Sequence, residues 1–175
     1  MIKVIFACGE NGEFGLNGGF PWGSPIKRDM QQFTEFTTGC VLLMGRKTFE
    51  SLPCKFRGLT FIVMSTKYKE DIKAKDGSCP DIVVKSKDKD FVINLDNLIS
   101  EDICVIGGAD IIKNYIPFAD SVSITEITRK DKKYFESDVM LDMDFIYKNI
   151  TCNSRNTNKP IFTETDDYCV VIIEY

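Results

Sequence analysis

Ile103-Cys104-Val105-Ile106-Gly107-Gly108-Ala109-Asp110-Ile111-Ile112-Lys113-Asn114-Tyr115-Ile116-Pro117 is the stretch that decides the fold. The unbroken apolar run Ile103–Ile106 suits a strand covered on both faces. A helix opening at Gly108 then places Ile111, Ile112, Tyr115 and Ile116 on one side, until Pro117 stops it. Working outward, similar runs stand at Ile2–Cys8, Val41–Met44, Phe61–Met64, Ile82–Val84 and Val170–Ile173. Amphipathic stretches lie between them. The spacing predicts helices over Ile26–Thr37 and Lys47–Leu52, the second stopped by Pro53, and a weaker helix around Leu95–Ser100. Strands alternating with helices make this an α/β chain with a mostly parallel central sheet and about four flanking helices. Thr66–Pro80 and Lys130–Ser137 read as charged surface loops. With no repeat or linker, residues 1–175 form a single domain.

Composition narrows the chemistry. The chain has 175 residues, 43% of them hydrophobic, with 13 Phe, which is ample for one core. It contains no His, so nucleophilic machinery built on a Ser-His or Cys-His pair is excluded. Proton handling must fall to a carboxylate, Lys, Tyr, Cys or water. The 7 Cys form no CxxC pair, and with no His a metal site is not expected. Scattered thiols suit a reducing, cytoplasmic setting. A net charge of −4 argues against a nucleic-acid surface. No apolar run is long enough for a membrane span, and Ile2–Cys8 meets Gly and acid too early for a signal peptide.

On a helical period Asp29 shares a face with Ile26, Met30, Phe33 and Phe36, while Arg28, Gln31, Gln32 and Glu35 fall opposite. Two readings stand side by side. A helix beginning at Asp29 would make it a stabilising N-terminal acid. A helix beginning at Ile26 would press a carboxylate against apolar neighbours, raise its pKa and make it a catalytic candidate. The preceding Gly15–Pro25 segment, GLNGGFPWGSP, favours the second. It reads as a mobile Gly-rich loop whose Phe20 and Trp22 could close over a flat apolar ligand.

The order Ala7, Gly15, Pro21-Trp22, Asp29, Phe33, then Met44-Gly45-Arg46-Lys47-Thr48-Phe49-Glu50-Ser51, then Val105-Ile106-Gly107-Gly108 resembles the dihydrofolate reductase family. The likeness runs nearly unbroken from Met1 to Thr66. It resumes at Val84-Lys85-Ser86, at Cys104–Thr125 and loosely at Tyr168–Glu174. Across Lys130–Asp167 only Ser137-Asp138 matches.

The resemblance implies that family's single-domain fold, including an antiparallel C-terminal strand, and NADPH-dependent reduction of 7,8-dihydrofolate to 5,6,7,8-tetrahydrofolate. Asp29 would accept hydrogen bonds from the pterin, with Thr125 steadying the carboxylate and Trp22 closing over the site. Ile5, Ala7, Met30, Phe33, Leu52 and Ile106 would line the substrate pocket. The cofactor would meet Ala7, Phe14, Gly15, Phe20, Gly45, Arg46, Lys47, Thr48, Ser65, Thr66, Lys85 and Ile106. It would also meet Gly107, Gly108, Ala109, Asp110 and Ile111, with a cis Gly107–Gly108 peptide. Arg46, Thr66 and Lys85 would hold the 2′-phosphate. Judged by pattern alone, the pocket residues are ordinary core, Thr125 an ordinary strand residue and Lys85 a surface cation.

One departure matters. Leu59 occupies the position of an Arg that, in the family, grips the glutamate tail of folate; Arg57 and Lys55 are the nearby cations that could stand in, with Arg57 favoured. Two rivals remain: a reductase of this fold acting on another pterin or a pyrimidine precursor, and a non-catalytic binding module. The partner expected is dihydrofolate as the small-molecule substrate of a monomeric protein, with neither nucleic acid nor membrane.

Overall fold

The computed structural model describes residues 1–85, 89–153 and 159–175. Ser86, part of the resemblance, lies outside them. Eight strands make one sheet: β1 (Ile2–Gly9), β3 (Val41–Gly45), β4 (Thr60–Met64), β5 (Ile82–Val84), β6 (Ile103–Gly107), β7 (Ser121–Arg129), β9 (Ile161–Glu164) and β10 (Tyr168–Glu174). Their order is β5-β4-β3-β6-β1-β7-β10-β9. Pairing is parallel from β5 through β7, and β10 runs antiparallel to both β7 and β9. A two-stranded sheet joins β2 (Glu13–Gly15) to β8 (Val139–Met140).

Five α-helices occur among the described residues: α1 (Lys27–Thr37), α2 (Arg46–Ser51), α3 (Lys89–Asp96), α4 (Ala109–Tyr115) and α5 (Met143–Asn153). Strand alternation splits the interior into two cores. Val41, Leu43, Val105, Val4 and Phe6 point to the face covered by Val92, Ile112 and Ile146, from α3, α4 and α5. Leu42, Met44, Phe61, Val63 and Ile5 point to the other, covered by Phe36 of α1 and Phe49 of α2. Both faces are thus sealed, which is why the strands read as unbroken apolar runs.

The predicted α1, α2 and α4 agree with the structure within a residue or two. The helix expected around Leu95–Ser100 is instead α3, which ends where that reading began. The α5 helix was not foreseen, and neither was the β9 strand. The Thr66–Pro80 loop is not simply solvated, because Ile72 and Ala74 are buried in the α1/α2-side core. Nor is Lys130–Ser137, whose Phe135 is buried. No described helix is long and apolar enough to cross a membrane.

Candidate active site

The loops after β3, β4, β5 and β6 leave the carboxyl ends of parallel neighbours, the usual place for a ligand crevice in such a sheet. Beside them, α1 lies against β1 and β7. Its N-cap is Ile26, so Asp29 belongs to the first turn but is no cap, and it is only 6% exposed. Burial pushes its carboxyl pKa above the ordinary carboxylate value, and the Thr125 hydroxyl draws it part of the way back. Thr125 Oγ1 is itself fully buried with no well-formed hydrogen bond. The hydroxyl is therefore near Asp29 but poorly aligned with it, and a buried orphan of this kind calls for an explanation. Ala7 lies opposite Thr125 in the β1–β7 pairing, and Ile5 opposite Ser123.

Of the expected pocket residues, Ile5 is buried, while Ala7, Met30, Phe33, Leu52 and Ile106 are half-buried. Phe33 meets Phe56 edge-on at 5.5 Å. Leu52 and Ile106 flank the same core as Phe33. Arg57 is exposed, and Leu59 turns its half-buried side chain into that core. No carboxylate-gripping group is thus offered at position 59.

Trp22 is 5% exposed and sits in a cluster with Ile26, Ile127, Phe135, Val170 and Ile172. Phe20 stacks on it at 5.3 Å, Phe135 meets its edge at 6.0 Å, and Tyr168 Oη donates to its carbonyl at 3.3 Å. Ser137 Oγ donates to the Gly15 carbonyl at 2.8 Å, and the Asn17 amide donates to Asp138 Oδ2 at 2.9 Å. The Gly15–Pro25 loop is therefore fastened by the segment expected to be mere surface. Sequence reading missed Phe135 and Tyr168 as holders of that loop. An aromatic residue in a charged loop was the available signal.

The strand-end residues expected at the cofactor also converge. A Cβ on Gly107 would lie 3.5 Å from Phe14 Cζ and from Thr48 Oγ1, and one on Gly108 3.3 Å from Thr48 Oγ1. Gly45 stands against Ile111 and the Gly108 amide. Gly107 has φ +133°, which an L side chain rarely adopts, and the Gly107–Gly108 peptide is cis. Two adjacent glycines thus leave a ledge of backbone without side chains beside Thr48, at the end of β6. Ala109 and Asp110 follow in the first turn of α4.

Arg46, Lys47, Ser65, Thr66 and Lys85 stand at or just beyond the ends of adjacent strands, Gly45 pairing with Met64 and Met64 with Val84. Arg46 donates to Glu50 at 2.5 Å, and the Lys85 ammonium lies 4.5 Å from the Tyr68 ring centroid. Neither Glu50 nor Tyr68 was anticipated as a partner. Among the described residues, no group of three potential ligands could hold a metal.

Gln32 requires a correction. It was placed on the charged face opposite Asp29, but it is 2% exposed. Three residues along, a helix turns by about 300°, which returns Gln32 to the side of Asp29. Its length and polarity masked that position.

Residues 1–172 match the dihydrofolate reductase family. Among relatives, the type 8 dihydrofolate reductase of Escherichia coli is 31% identical over 152 residues, 87% of this chain and 86% of the relative. The dihydrofolate reductase of Bacillus subtilis is 34% identical over 128 residues, 73% of this chain and 69% of the relative. A solved structure, dihydrofolate reductase from Enterococcus faecalis complexed with NADP(H) and RAB-propyl, is alike in fold. It has a TM-score of 0.75 at 24% identity, covering 100% of this chain and 95% of that one. A buried carboxylate on α1, a diglycine ledge after β6 and a family match across nearly the whole length agree: the chain belongs to the dihydrofolate reductase family.

Proposed function

We propose that the protein reduces 7,8-dihydrofolate to 5,6,7,8-tetrahydrofolate with NADPH, serving one-carbon metabolism. The observation that carries this reading is Asp29, a carboxylate on α1 that is only 6% exposed, its pKa raised by that burial and Thr125 beside it. A reduced pterin ring is flat and mostly apolar, with a cationic or donor edge. The half-buried Met30, Phe33, Leu52 and Ile106 suit its faces, and Asp29 suits its edge, accepting hydrogen bonds from the ring N–H and amino group. Ionised Asp29 would then favour the ring nitrogen in its protonated form, with solvent as proton source. The orphaned Thr125 hydroxyl suits a contact completed when ligand orders the carboxylate.

When bound, NADPH supplies the hydride. The chain's share is to hold it: the Gly107–Gly108 ledge beside Thr48 admits close approach, with Phe14, Gly45 and Ile111 around it. Ser65 and Thr66 offer hydroxyls, and Arg46, Lys47 and Lys85 offer cations for the phosphates. Trp22 and Phe20 exclude water on the other side. A reducing, cytoplasmic setting fits the six described cysteines, all free thiols, and the protein would act on its small-molecule substrate as a monomer.

Leu59 favours a second reading, in which a related pterin without a glutamate tail is the substrate. Both are tested by following nicotinamide absorbance with dihydrofolate and with a tail-less dihydropterin. NADPH consumption with dihydrofolate and formation of tetrahydrofolate supports the first. Consumption with the tail-less compound alone supports the second, and consumption with neither defeats both.

A further inference from the structure

Gln32 is a buried polar side chain for which the reading above has no task. Its Nε2 donates to Ser123 Oγ at 3.2 Å and to Glu174 Oε1 at 2.5 Å. Both amide hydrogens are thus used, on acceptors from two different strands. Burying a primary amide is unfavourable unless it is paired in this way, and a Leu or Met would fill the same space without that demand.

The placement of the three groups is informative. Gln32 follows Asp29 by one turn on the same side of α1. Ser123 precedes Thr125 by two residues, so both project from the same face of β7. Glu174 stands directly opposite Ser123 in the β7–β10 pairing. The helix therefore approaches the sheet through two successive polar contacts, Asp29 beside Thr125 and Gln32 on Ser123, with Glu174 anchoring the second. The helix has few other directional restraints. Its N-cap residue, Ile26, makes no side-chain capping bond, and the Arg28–Glu35 pair at 3.8 Å joins two residues of the helix itself and does not tie it to the sheet. Apolar packing alone tolerates small rotations and slips, whereas two hydrogen bonds with fixed acceptors do not.

We infer that Gln32 is a positioning residue: its bonds to Ser123 and Glu174 fix the rotation and height of α1, and thereby the place of the Asp29 carboxylate in the substrate pocket. This rests on the reading of Asp29 as the substrate-binding carboxylate. Glu174 is the charged group in contact with Gln32, and Thr125 the polar group beside Asp29.

The test compares wild type with Gln32→Met, which keeps the length and removes both donors, and with Glu174→Gln, which keeps an acceptor without the charge. Steady-state constants for dihydrofolate and NADPH are measured across pH, with melting temperature alongside. For Gln32→Met, kcat/KM for dihydrofolate falls roughly tenfold, about 1.4 kcal/mol, while KM for NADPH stays within about twofold. The acid limb of its pH–rate profile moves to lower pH, because a loosened helix lets water reach Asp29. Glu174→Gln keeps dihydrofolate kinetics within about twofold of wild type. A Gln32→Met enzyme that melts earlier but keeps wild-type dihydrofolate constants and pH profile overturns the inference. If Gln32→Met does not fold, Ser123→Ala carries the same comparison with a smaller expected loss. Wild-type protein that does not consume NADPH with dihydrofolate defeats the functional reading as well as this one. A working wild type with an indifferent Gln32→Met defeats this one alone.

Discussion

The Lys85 ammonium rests 4.5 Å from the centroid of the Tyr68 ring, at the end of β5 and one strand away from the end of β4 that carries Ser65 and Thr66. Among the described residues the cation is held over an exposed aromatic face rather than by a carboxylate. Such a contact contributes about 0.5–1 kcal/mol at an exposed site, and an approaching phosphate dianion can outcompete it. Across the same strand ends Arg46 is held by Glu50. Both cations are stored on weak, partly exposed partners from which a phosphate can recruit them.

Arg46→Ala should therefore weaken NADPH far more than NADH, by on the order of 1.5–3 kcal/mol for a charge-assisted bond. Lys85→Ala should act in the same direction with a smaller effect. Kinetic constants for both nucleotides check this, and equal losses with NADPH and NADH would remove these residues from the 2′-phosphate.

Phe135 ties the Trp22 loop to β10 through two ring contacts, at 6.0 Å to Trp22 and 5.8 Å to Tyr168. Truncating a buried Phe costs about 3 kcal/mol. Phe135→Ala should lower stability by that order and increase proteolytic cleavage within Gly15–Pro25. Tyr168→Phe, which removes only the hydroxyl bond to the Trp22 carbonyl, should cost about 1 kcal/mol. Denaturant melts and limited proteolysis measure both. A Phe135→Ala protein whose loop is cut no faster would show that the loop is held elsewhere.

Arg57 is exposed and has no ion pair among the described residues, whereas Leu59 packs inward. Arg57→Ala should raise the Michaelis constant for dihydrofolate by roughly tenfold if its contact with the glutamate tail contributes about 1.4 kcal/mol, and leave a tail-less dihydropterin unaffected. Leu59→Arg should give up apolar packing, lowering stability by about 1–2 kcal/mol. If neither substitution changes the ratio between tailed and tail-less substrates, this loop does not read the tail.

Asp29 also bears on stability. Its folded-state pKa is raised by burial, so the folded protein holds the proton more tightly than the unfolded chain. Stability from this group therefore falls as pH rises through the interval between the unfolded and folded values, and is unaffected below both. Asp29→Asn should melt higher than wild type at neutral pH, because the amide carries no charge to desolvate. The gain should vanish in acid. A mutant equally stabilised at every pH would contradict the burial account.

Much of this was legible in the sequence. Strands sealed on both faces announce themselves as unbroken apolar runs, as Ile103–Ile106 and Val41–Met44 do. Gly107-Gly108 and Asp29 stand out because each breaks the pattern around it. The α5 helix escaped notice although Met143, Ile146, Tyr147 and Ile150 stand at helical spacing, whereas β9 was harder because its Ile161 and Phe162 remain exposed. Gln32 and Phe135 were misread for one reason: each belongs by composition to a polar surface but is buried by a partner distant in sequence. Ser123 lies 91 residues from Gln32, and no local pattern could have supplied it.

The most direct test of the account is the pH dependence of turnover in wild type and Asp29→Asn. An Asn keeps the size of the side chain but supplies no negative charge to favour the protonated pterin. Turnover with NADPH and dihydrofolate should fall by about 10²–10³-fold near neutral pH, the range for loss of one electrostatic contact to developing charge. The deficit should shrink in acid, where wild-type Asp29 is itself neutralised and the substrate is more often protonated, while NADPH affinity stays nearly intact. Near-normal turnover of Asp29→Asn at neutral pH would contradict the account and leave Asp29 a structural acid.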